Sequence, residues 1–383
     1  MTKTTLKAML VDPSLFTAPY DAALTHGLLN ASIQPMWATR PLRKGDAQEI
    51  PAHCVDAFFY KWIDGTSYLP SKLRALLKGF AHAIGLSKVI WKVLFKRIDV
   101  VHFQWAVIPI LDAMVMRIIR CFRPVFLTVH DTTPFNGEQI SFMQNLGFDL
   151  PISSASQVIV HTQSALQSLI KRGVPERKIN IIPHGPLSLS IPLPLLDNAR
   201  RDKRWTFVMF GEIKTYKGFD LLVEAVALLP ESVRNSCRCI VAGRPRMNID
   251  PILERIAVLG LSDAFDVRPK RLTEEEMAAL FVEADCFIFP YRQIDASGVY
   301  FLVKGLSKWL IASQVGIFAE DMQEDVDGHL VSSGDVPALA KAMNYAIKNR
   351  PVAYTNQAAS SWGNIGLLTR ACYEKEIESK YAK

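Results

Sequence analysis

Two lysines follow an apolar run in the second half of the chain, at a spacing that suits phosphate binding. The run WTFVMF (205–210) is followed by Gly-Glu-Ile-Lys-Thr-Tyr-Lys-Gly (211–218) and then by an amphipathic helical pattern. Ammonium groups and backbone amides near a helix start are common phosphate ligands in proteins. We therefore interpret Lys214 and Lys217 as candidate diphosphate ligands. The alternative is an ordinary loop with two solvated lysines.

A second polar segment follows another apolar run. Residues 286–290 read CFIFP, and the chain continues with Tyr-Arg-Gln-Ile-Asp-Ala-Ser-Gly-Val (291–299). A helix that starts near Ser297 would offer its first amides to a phosphate, and the Asp295 carboxylate can accept hydrogen bonds from sugar hydroxyls. The alternative is that Asp295 and Ser297 only cap the helix.

The elements around these segments predict two parallel α/β sheets. Short apolar runs alternate with helix-length segments, which is typical of βαβ units. The runs are KAMLV, DVVHFQ, VFLTVH, QVIVHT and KINIIP in the first half, and WTFVMFG, CIVAG, FDVRP and CFIFPYR in the second. Open parallel sheets bind ligands beyond the carboxyl ends of their strands. Two sheets facing each other would enclose one cleft lined by the residues after each run.

Length and composition indicate two domains. A chain of 383 residues exceeds what one hydrophobic core usually organises. The segment 185–204 is rich in Pro and Ser, ends in charged residues, and is the predicted linker. We predict one Rossmann-like domain over 1–190, a second over 204–361, and a helix over 362–383 that is too short to be a domain.

Several classes of protein are disfavoured. The six cysteines form no CxxC pair, which argues against a zinc site or a disulfide framework and for a reducing cytoplasm. The start of the chain predicts a first strand and not a signal peptide, and charged residues interrupt the long apolar stretch 100–122. Neither GxGxxG nor a Walker motif is present, which disfavours oxidoreductases and NTPases. The net charge of +7 indicates an anionic partner without distinguishing nucleic acid, lipid or a phosphorylated small molecule.

The order of the motifs resembles the retaining glycosyltransferase family 4, which has the GT-B fold of two Rossmann-like doubly wound domains facing across a cleft. The second half carries G-x-x-K-x-Y-K-G (211–218), VAG (241–243), LTEEEM (272–277), ADCFIFPYR (284–292) and DASG (295–298). In the first half, DVVHFQ, LTVHD, VIVHT and IIPHG are similar to the family's strand ends. The last helix is similar to the family helix that crosses back and completes the N-terminal acceptor domain. Each motif alone is weak, but together they follow the family's order over nearly the whole chain.

The resemblance implies roles for individual residues. His130 matches the family histidine beside the anomeric carbon of the donor sugar, and Lys217 matches the lysine that binds the donor diphosphate. Asp295 stands where the first glutamate of the family's E-x7-E motif holds sugar hydroxyls. The loop around Arg268 lies where the nucleobase is recognised. The amides expected around sugar and phosphate are those of Ser297, Gly298 and Val299.

Two positions depart from the family pattern. Val303 replaces the second motif glutamate, which binds ribose, so Val303→Glu is expected to strengthen nucleotide binding. Glu212 replaces an arginine that commonly follows the strand glycine, and Lys214 is the expected substitute. Because the D-x-S-G form resembles a subset of the family, we interpret both departures as variation among active enzymes. The alternative is a GT-B binding or accessory protein without transferase activity.

The first loop, DPSLFTAPYD (12–21), replaces the paired glycines of many relatives, and the resemblance places it against the acceptor. Tyr20 and Asp21 are therefore candidate acceptor-binding residues, with a helix start and its capping as the alternative. The remaining strand-end histidines are interpreted as structural: His102, His161 and His184.

The resemblance implies transfer with retention of configuration. No obvious buried nucleophile is present, so we expect front-face return, with the leaving phosphate as base and the lysines and helix amides stabilising its charge. We identify no Asp-x-Asp motif that would hold a metal, and we expect neither a metal nor a cofactor. The donor is a nucleotide sugar, UDP or GDP form left open. The acceptor is a saccharide or a lipid-linked saccharide, and the expected setting is bacterial surface polysaccharide assembly, without nucleic acid as a partner.

Residues 71–97 predict peripheral contact with an anionic membrane. They carry no acidic residue, and they contain Lys72, Arg74, Lys78, Lys88, Lys92, Lys96 and Arg97. Apolar residues at helical spacing accompany these charges, including Leu76, Phe80, Trp91 and Phe95. We therefore expect a cytoplasmic protein bound at the inner face of the membrane. The alternative is a helix packed on the first sheet with solvated lysines.

Overall fold

The computed structural model describes residues 5–43, 46–63, 70–132, 147–195, 204–353 and 361–382. The chain forms two compact units, Met1–Gly185 with Ser360–Lys383 and Pro186–Ala359. The second unit therefore begins earlier than the predicted 204. The reason is that Leu187 and Leu189, in the predicted linker, pack against the core of that unit.

The first unit contains a parallel sheet of seven strands in the order β3-β2-β1-β4-β5-β6-β7. The strands are β1 Leu6–Asp12, β2 Ile33–Thr39, β3 Val55–Ala57, β4 Val100–Phe103, β5 Val125–Thr128, β6 Gln157–Val160 and β7 Ile179–Ile181. Side chains of β1 alternate between two apolar clusters, Met9 and Val11 in one and Ala8 and Leu10 in the other. Because successive strand residues point to opposite faces, both faces of this sheet are covered.

Helices along the first unit cover the sheet. They are α1 Ala18–Asn30, α2 Ser71–Phe95, α3 Pro109–Arg120, α4 Leu150–Ser154 and α5 Gln163–Lys171. Helix α2 contributes Leu86, Val89 and Val93 to the cluster that contains Met9. Among the helices of the described chain, none combines the length and the apolar character needed to span a bilayer.

The second unit contains a parallel sheet of six strands in the order β10-β9-β8-β11-β12-β13. The strands are β8 Trp205–Phe210, β9 Cys237–Ala242, β10 Phe265–Arg268, β11 Cys286–Phe289, β12 Trp309–Ser313 and β13 Gly328–Val331. The helices are α6 Phe219–Ala227, α7 Glu231–Arg234, α8 Asp250–Val258, α9 Glu274–Glu283, α10 Gly298–Val303, α11 Gly316–Asp321 and α12 Val336–Asn349. Both units are thus doubly wound α/β structures, as predicted.

The last helix, α13 (Trp362–Tyr381), lies in the first unit. It crosses α1 where a Cβ on Gly366 would lie 1.9 Å from the carbonyl oxygen of Gly27. Only glycine therefore permits this close approach. The Tyr373 hydroxyl, 2.7 Å from Nδ1 of His102, further ties α13 to β4.

Candidate functional site

The loops after β8 and β9 run side by side in the second unit. The Gly211 amide donates to the Ala242 carbonyl at 3.0 Å, and Ile213 forms a parallel bridge with Pro245. A Cβ on Gly243 would lie 1.9 Å from the Gly211 carbonyl oxygen. The close approach of two backbones therefore requires the glycine of the VAG motif.

Lys217 is brought against the start of α10. Its residue is only 6% exposed, and it ends the 3₁₀ turn Thr215–Lys217. A Cβ on Gly211 would lie 2.9 Å from Lys217 Nζ and 3.0 Å from Val299 Cγ2. Lys217 Nζ also lies 5.4 Å from the ring centroid of Tyr291, a cation–π contact. The candidate cation and a candidate helix-start residue thus share one small region.

The predicted helix, α10, starts at Gly298, and Ser297 is its N-cap residue. The Ser297 hydroxyl accepts a hydrogen bond from the Tyr300 amide at 3.3 Å, so the capping alternative holds for this side chain. Asp295 is half-buried, and its carbonyl accepts from the Ile317 amide at 3.0 Å. Hydrogen bonds therefore hold the backbone at Asp295, the candidate residue for binding the donor sugar, and at the helix start that follows it.

Val303 is fully buried in the apolar cluster that contains Phe289, Tyr300 and Phe318. A glutamate there would place a carboxylate in a hydrophobic core, which is strongly unfavourable. Because the Val303 side chain points into the core, its burial argues against the expectation that Val303→Glu strengthens nucleotide binding.

Arg268 belongs to an ion-pair network at the end of β10. Its Nη2 lies 2.7 Å from Asp266 Oδ2 and 3.5 Å from Glu283 Oε2. Arg238 contacts both carboxylates as well, at 2.6 Å for Glu283. The network accounts for the position of Arg268, and its nucleobase contact stays a prediction.

Tyr20 lies at the centre of a group of histidine rings in the first unit, which we call the histidine cluster: His130, His161 and His184. Its ring centroid is 5.1, 5.5 and 4.9 Å from theirs, respectively. The histidines lie within three residues of the ends of β5, β6 and β7. Neighbouring parallel strands therefore bring them to one edge of the sheet.

Burial keeps the histidine cluster uncharged. Burial, reinforced by the neighbouring histidines, lowers the pKa of His130 well below its usual value, and burial lowers the pKa of His184 to about 3. Burial also lowers the pKa of His161. Nδ1 of His161 donates to the Ile182 carbonyl at 2.8 Å, and Nδ1 of His184 donates to the Gly185 carbonyl at 2.6 Å. All three imidazoles are therefore neutral near pH 7.

His130 differs from the other two in its accessibility. It is half-buried, whereas His161 is 5% exposed and His184 is 8% exposed. Within the part of the chain that the structure describes, its Nε2 is buried and has no hydrogen-bond partner. Its ring stacks on Trp105, at 5.0 Å between centroids and 16° between planes. Trp105 was not predicted as a site residue, although it lies two residues beyond β4 and could have been found as a strand-end residue.

The two candidate acceptor residues are buried in the first turn of α1. Tyr20 is 5% exposed and Asp21 is fully buried. Asp21 Oδ1 accepts from the Thr17 hydroxyl at 3.3 Å, while Asp12 accepts from the Ser14 amide at 3.2 Å. Burial and the charge of Asp12 raise the pKa of Asp21 well above its usual value. Acceptor binding by Tyr20 and Asp21 stays a prediction, and their burial favours the helix-start alternative.

An Asp-x-Asp triplet does occur at 325–327, away in sequence from both candidate segments. Asp325 forms part of a group with Glu324 and His329, whose ligand atoms lie within 4.8 Å of one another. His329 Nδ1 is 2.8 Å from Glu324 Oε1, which is an ordinary surface pair. Exposed groups of this kind are common without an ion, so it adds no argument for a metal.

Helix α2 has two different faces. Ala81, Leu86, Val89 and Val93 are buried. The opposite face exposes large apolar side chains: Leu76 at 71%, Phe80 at 62%, Trp91 at 53% and Phe95 at 67%. Lys92 pairs with Asp56 at 2.6 Å, and the exposed lysines are Lys72, Lys78, Lys88 and Lys96. Packing on the sheet therefore accounts for only one side of this basic helix.

Comparison with known proteins gives matches over both units. The family model for glycosyl transferases group 1 matches residues 197–363, and that for Glycosyltransferase Family 4 matches residues 23–185. Among proteins with curated descriptions, no sequence matches this chain.

Solved structures match over nearly the full length. The Anabaena protein HepE, crystallised with UDP and glucose, is 16% identical over 98% of each chain, with a TM-score of 0.65. The catalytic domain of starch synthase IV from Arabidopsis thaliana, bound to ADP and acarbose, is 12% identical over 98% of this chain and 99% of that one, with a TM-score of 0.68. WaaG, a glycosyltransferase involved in lipopolysaccharide biosynthesis, is 12% identical over 97% and 99% of the two chains, with a TM-score of 0.61. At these identities the likeness establishes the fold.

Proposed function

The chain belongs to the group 1 glycosyltransferases of family 4 and has their GT-B fold, and on that premise we propose that it is a retaining, metal-independent hexosyltransferase. It moves a sugar from a UDP- or GDP-sugar to a saccharide or lipid-linked acceptor, and its setting is bacterial surface polysaccharide synthesis. The observation that carries the proposal is that Lys217 and Val299, at the start of α10, both lie next to Gly211, directly after β8. A buried cation beside a helix start suits a diphosphate.

The proposed reaction needs no protein nucleophile. The bond between the anomeric carbon and the diphosphate oxygen breaks, and the acceptor oxygen bonds to the same face of that carbon. The acceptor proton passes to the leaving phosphate. Lys214 and Lys217 stabilise the charge that develops on the diphosphate, Asp295 holds sugar hydroxyls, and His130 contacts the donor near the anomeric carbon.

Donor screening tests the proposal. Wild-type protein is heated with UDP, GDP and their glucose, galactose and mannose conjugates, and a bound donor raises the melting temperature by mass action. Release of nucleoside diphosphate is then measured with saccharide acceptors. Stabilisation with multiple turnovers supports the transferase. If the donor stabilises the protein but no nucleoside diphosphate is released, either by transfer to an acceptor or by slow hydrolysis, the binding-protein alternative is favoured.

Asp295→Asn is expected to lower the affinity for the nucleotide sugar toward that of the bare nucleoside diphosphate, because an amide is a weaker acceptor for sugar hydroxyls than a carboxylate. Isothermal titration with both ligands measures this difference. Asp335→Asn is the matched control, since the Asp335 carboxylate caps α12 through the Ala338 amide at 2.9 Å. Because asparagine caps helices as well as aspartate does, the control should bind the donor like wild type. Equal donor affinity in both variants would mean that the Asp295 side chain does not bind the sugar.

We also propose that α2 holds the protein at the inner face of a cytoplasmic membrane. Its exposed apolar side chains and its lack of acidic residues support this. Each basic residue near an anionic leaflet contributes about 1 kcal/mol to membrane binding. We expect co-sedimentation with vesicles of phosphatidylglycerol and phosphatidylcholine, reduced by salt and by joint Lys78→Glu, Lys88→Glu and Lys96→Glu changes.

The control for this charge reversal makes the same change elsewhere, at the exposed lysines Lys171, Lys341 and Lys348. This variant has an identical net charge and should still sediment with the vesicles. Equal binding to pure phosphatidylcholine vesicles, or equal loss in both triple variants, would contradict a specific role for α2.

A further inference from the structure

Glu212 stands where many relatives have an arginine, and the structure brings an arginine from another loop into contact with it. Arg246 follows β9, 34 residues along the chain. Its Nε lies 2.7 Å and its Nη2 lies 2.5 Å from Glu212 Oε1. Lys214 Nζ lies 3.4 Å from the other oxygen of the same carboxylate. One carboxylate thus gathers two cations beside the β8 loop.

The backbone fixes this arrangement independently of the ion pair. The Arg246 amide donates to the Ile213 carbonyl at 2.9 Å, and the Ile213 amide donates to the Arg244 carbonyl at 3.0 Å. Ile213 is 1% exposed, so the join between the loops rests on a buried side chain. The backbone of Arg246, in the loop after β9, is therefore held against the loop after β8, which carries Lys214 and Lys217.

We propose that Arg246 is a further donor-binding residue, which contacts the diphosphate of the nucleotide sugar, and that Glu212 positions it. This inference rests on the proposed donor site. Lys214, Lys217 and Arg246 bring three cationic side chains to the two joined loops, which favours an anion. Two of the five guanidinium N–H donors reach Glu212, and the Arg246 side chain is 42% exposed, so the guanidinium can bind a second anion.

Glu212 is ionised in this arrangement. Partial burial disfavours its charged form, but the hydrogen bond from Arg246 and the charge of Lys214 outweigh burial and hold its pKa below the usual value. An exposed ion pair of this kind contributes little to folding stability. Its consequence is the orientation of the guanidinium.

Arg246→Ala is expected to weaken binding of UDP or GDP, whichever wild type binds more tightly, by about tenfold or more, the scale of a lost charge-assisted contact. Binding of the matching nucleoside should change less than twofold. Titration calorimetry measures both affinities, and displacement of a bound nucleoside diphosphate can replace it for the nucleoside, which binds weakly. Arg255→Ala is the matched control, because Arg255 pairs with Glu224 at 2.7 Å with similar exposure, 49% and 40%. This control should bind both ligands like wild type.

Glu212→Gln separates positioning from simple charge. In wild type it should weaken diphosphate binding, because Arg246 loses its partner. In the Arg246→Ala background it should strengthen binding, because only a repulsive carboxylate is removed. Wild-type diphosphate affinity in Arg246→Ala overturns this inference and leaves the donor site intact. A wild-type protein that binds no nucleoside diphosphate overturns both.

Discussion

His130→Ala is expected to abolish sugar transfer, with kcat lowered by about a thousandfold or more, while the affinity for free nucleoside diphosphate stays within twofold of wild type. The imidazole is neutral, because burial and neighbouring histidines lower its pKa, and it stacks on Trp105. A neutral ring can hydrogen-bond to the donor sugar near the reacting carbon without adding charge. The measurements are acceptor-dependent release of nucleoside diphosphate and calorimetric titration of the diphosphate.

Two further variants distinguish a loss of catalysis from a loss of folding. His130→Asn keeps a polar group of smaller size and should restore stability more than activity. His161→Asn changes the neighbouring histidine, whose Nδ1 donates to the Ile182 carbonyl, and should lower the melting temperature while retaining transfer. Lost diphosphate binding in His130→Ala, or equal inactivity of His161→Asn, would assign His130 a structural role.

Lys217→Met is expected to lower kcat by about a hundredfold or more, the scale of removing one transition-state donor. Methionine keeps an apolar chain against Tyr291 but removes the ammonium group that lies over its ring. Because charge on the diphosphate increases as the glycosidic bond breaks, kcat should fall more than donor affinity. Steady-state kinetics with saturating donor and acceptor separate the two quantities.

Lys341→Met is the control for this substitution, since Lys341 is an exposed lysine of α12 in the same unit. It should leave kcat and the melting temperature unchanged. Near-wild-type turnover in Lys217→Met would remove Lys217 from the donor site, whatever the outcome for the other lysine of the loop.

The strands that were predicted and those that were missed differ in a definite way. The long apolar runs at β1 and β8 stand out in the sequence, because a strand covered by helices on both faces is apolar throughout. Four strands were not predicted: β2, β3, β12 and β13. β2 contains Pro35, β3 is three residues long, and short apolar runs such as β12 cannot be told from helix segments by periodicity.

The order of motifs along the chain was enough to predict the family and the fold class, and both are confirmed. Local steric requirements fix some residue types of these motifs. Gly211 has a φ of +103°, and Gly243 lies against another backbone, so both positions require glycine. Strand ends could also be recognised, because in a parallel sheet polar residues follow the apolar run of each strand.

Only the tertiary structure decided which side chains meet and which face the core. Val303 was interpreted by its motif position, but the direction of its side chain depends on how α10 packs, and it lies in the apolar core. Arg246 and Glu212 are 34 residues apart, and pairing of β8 with β9 brings their loops together. Such contacts depend on the sum of many weak interactions over the whole sheet, whereas a motif records only the geometry of its own few residues.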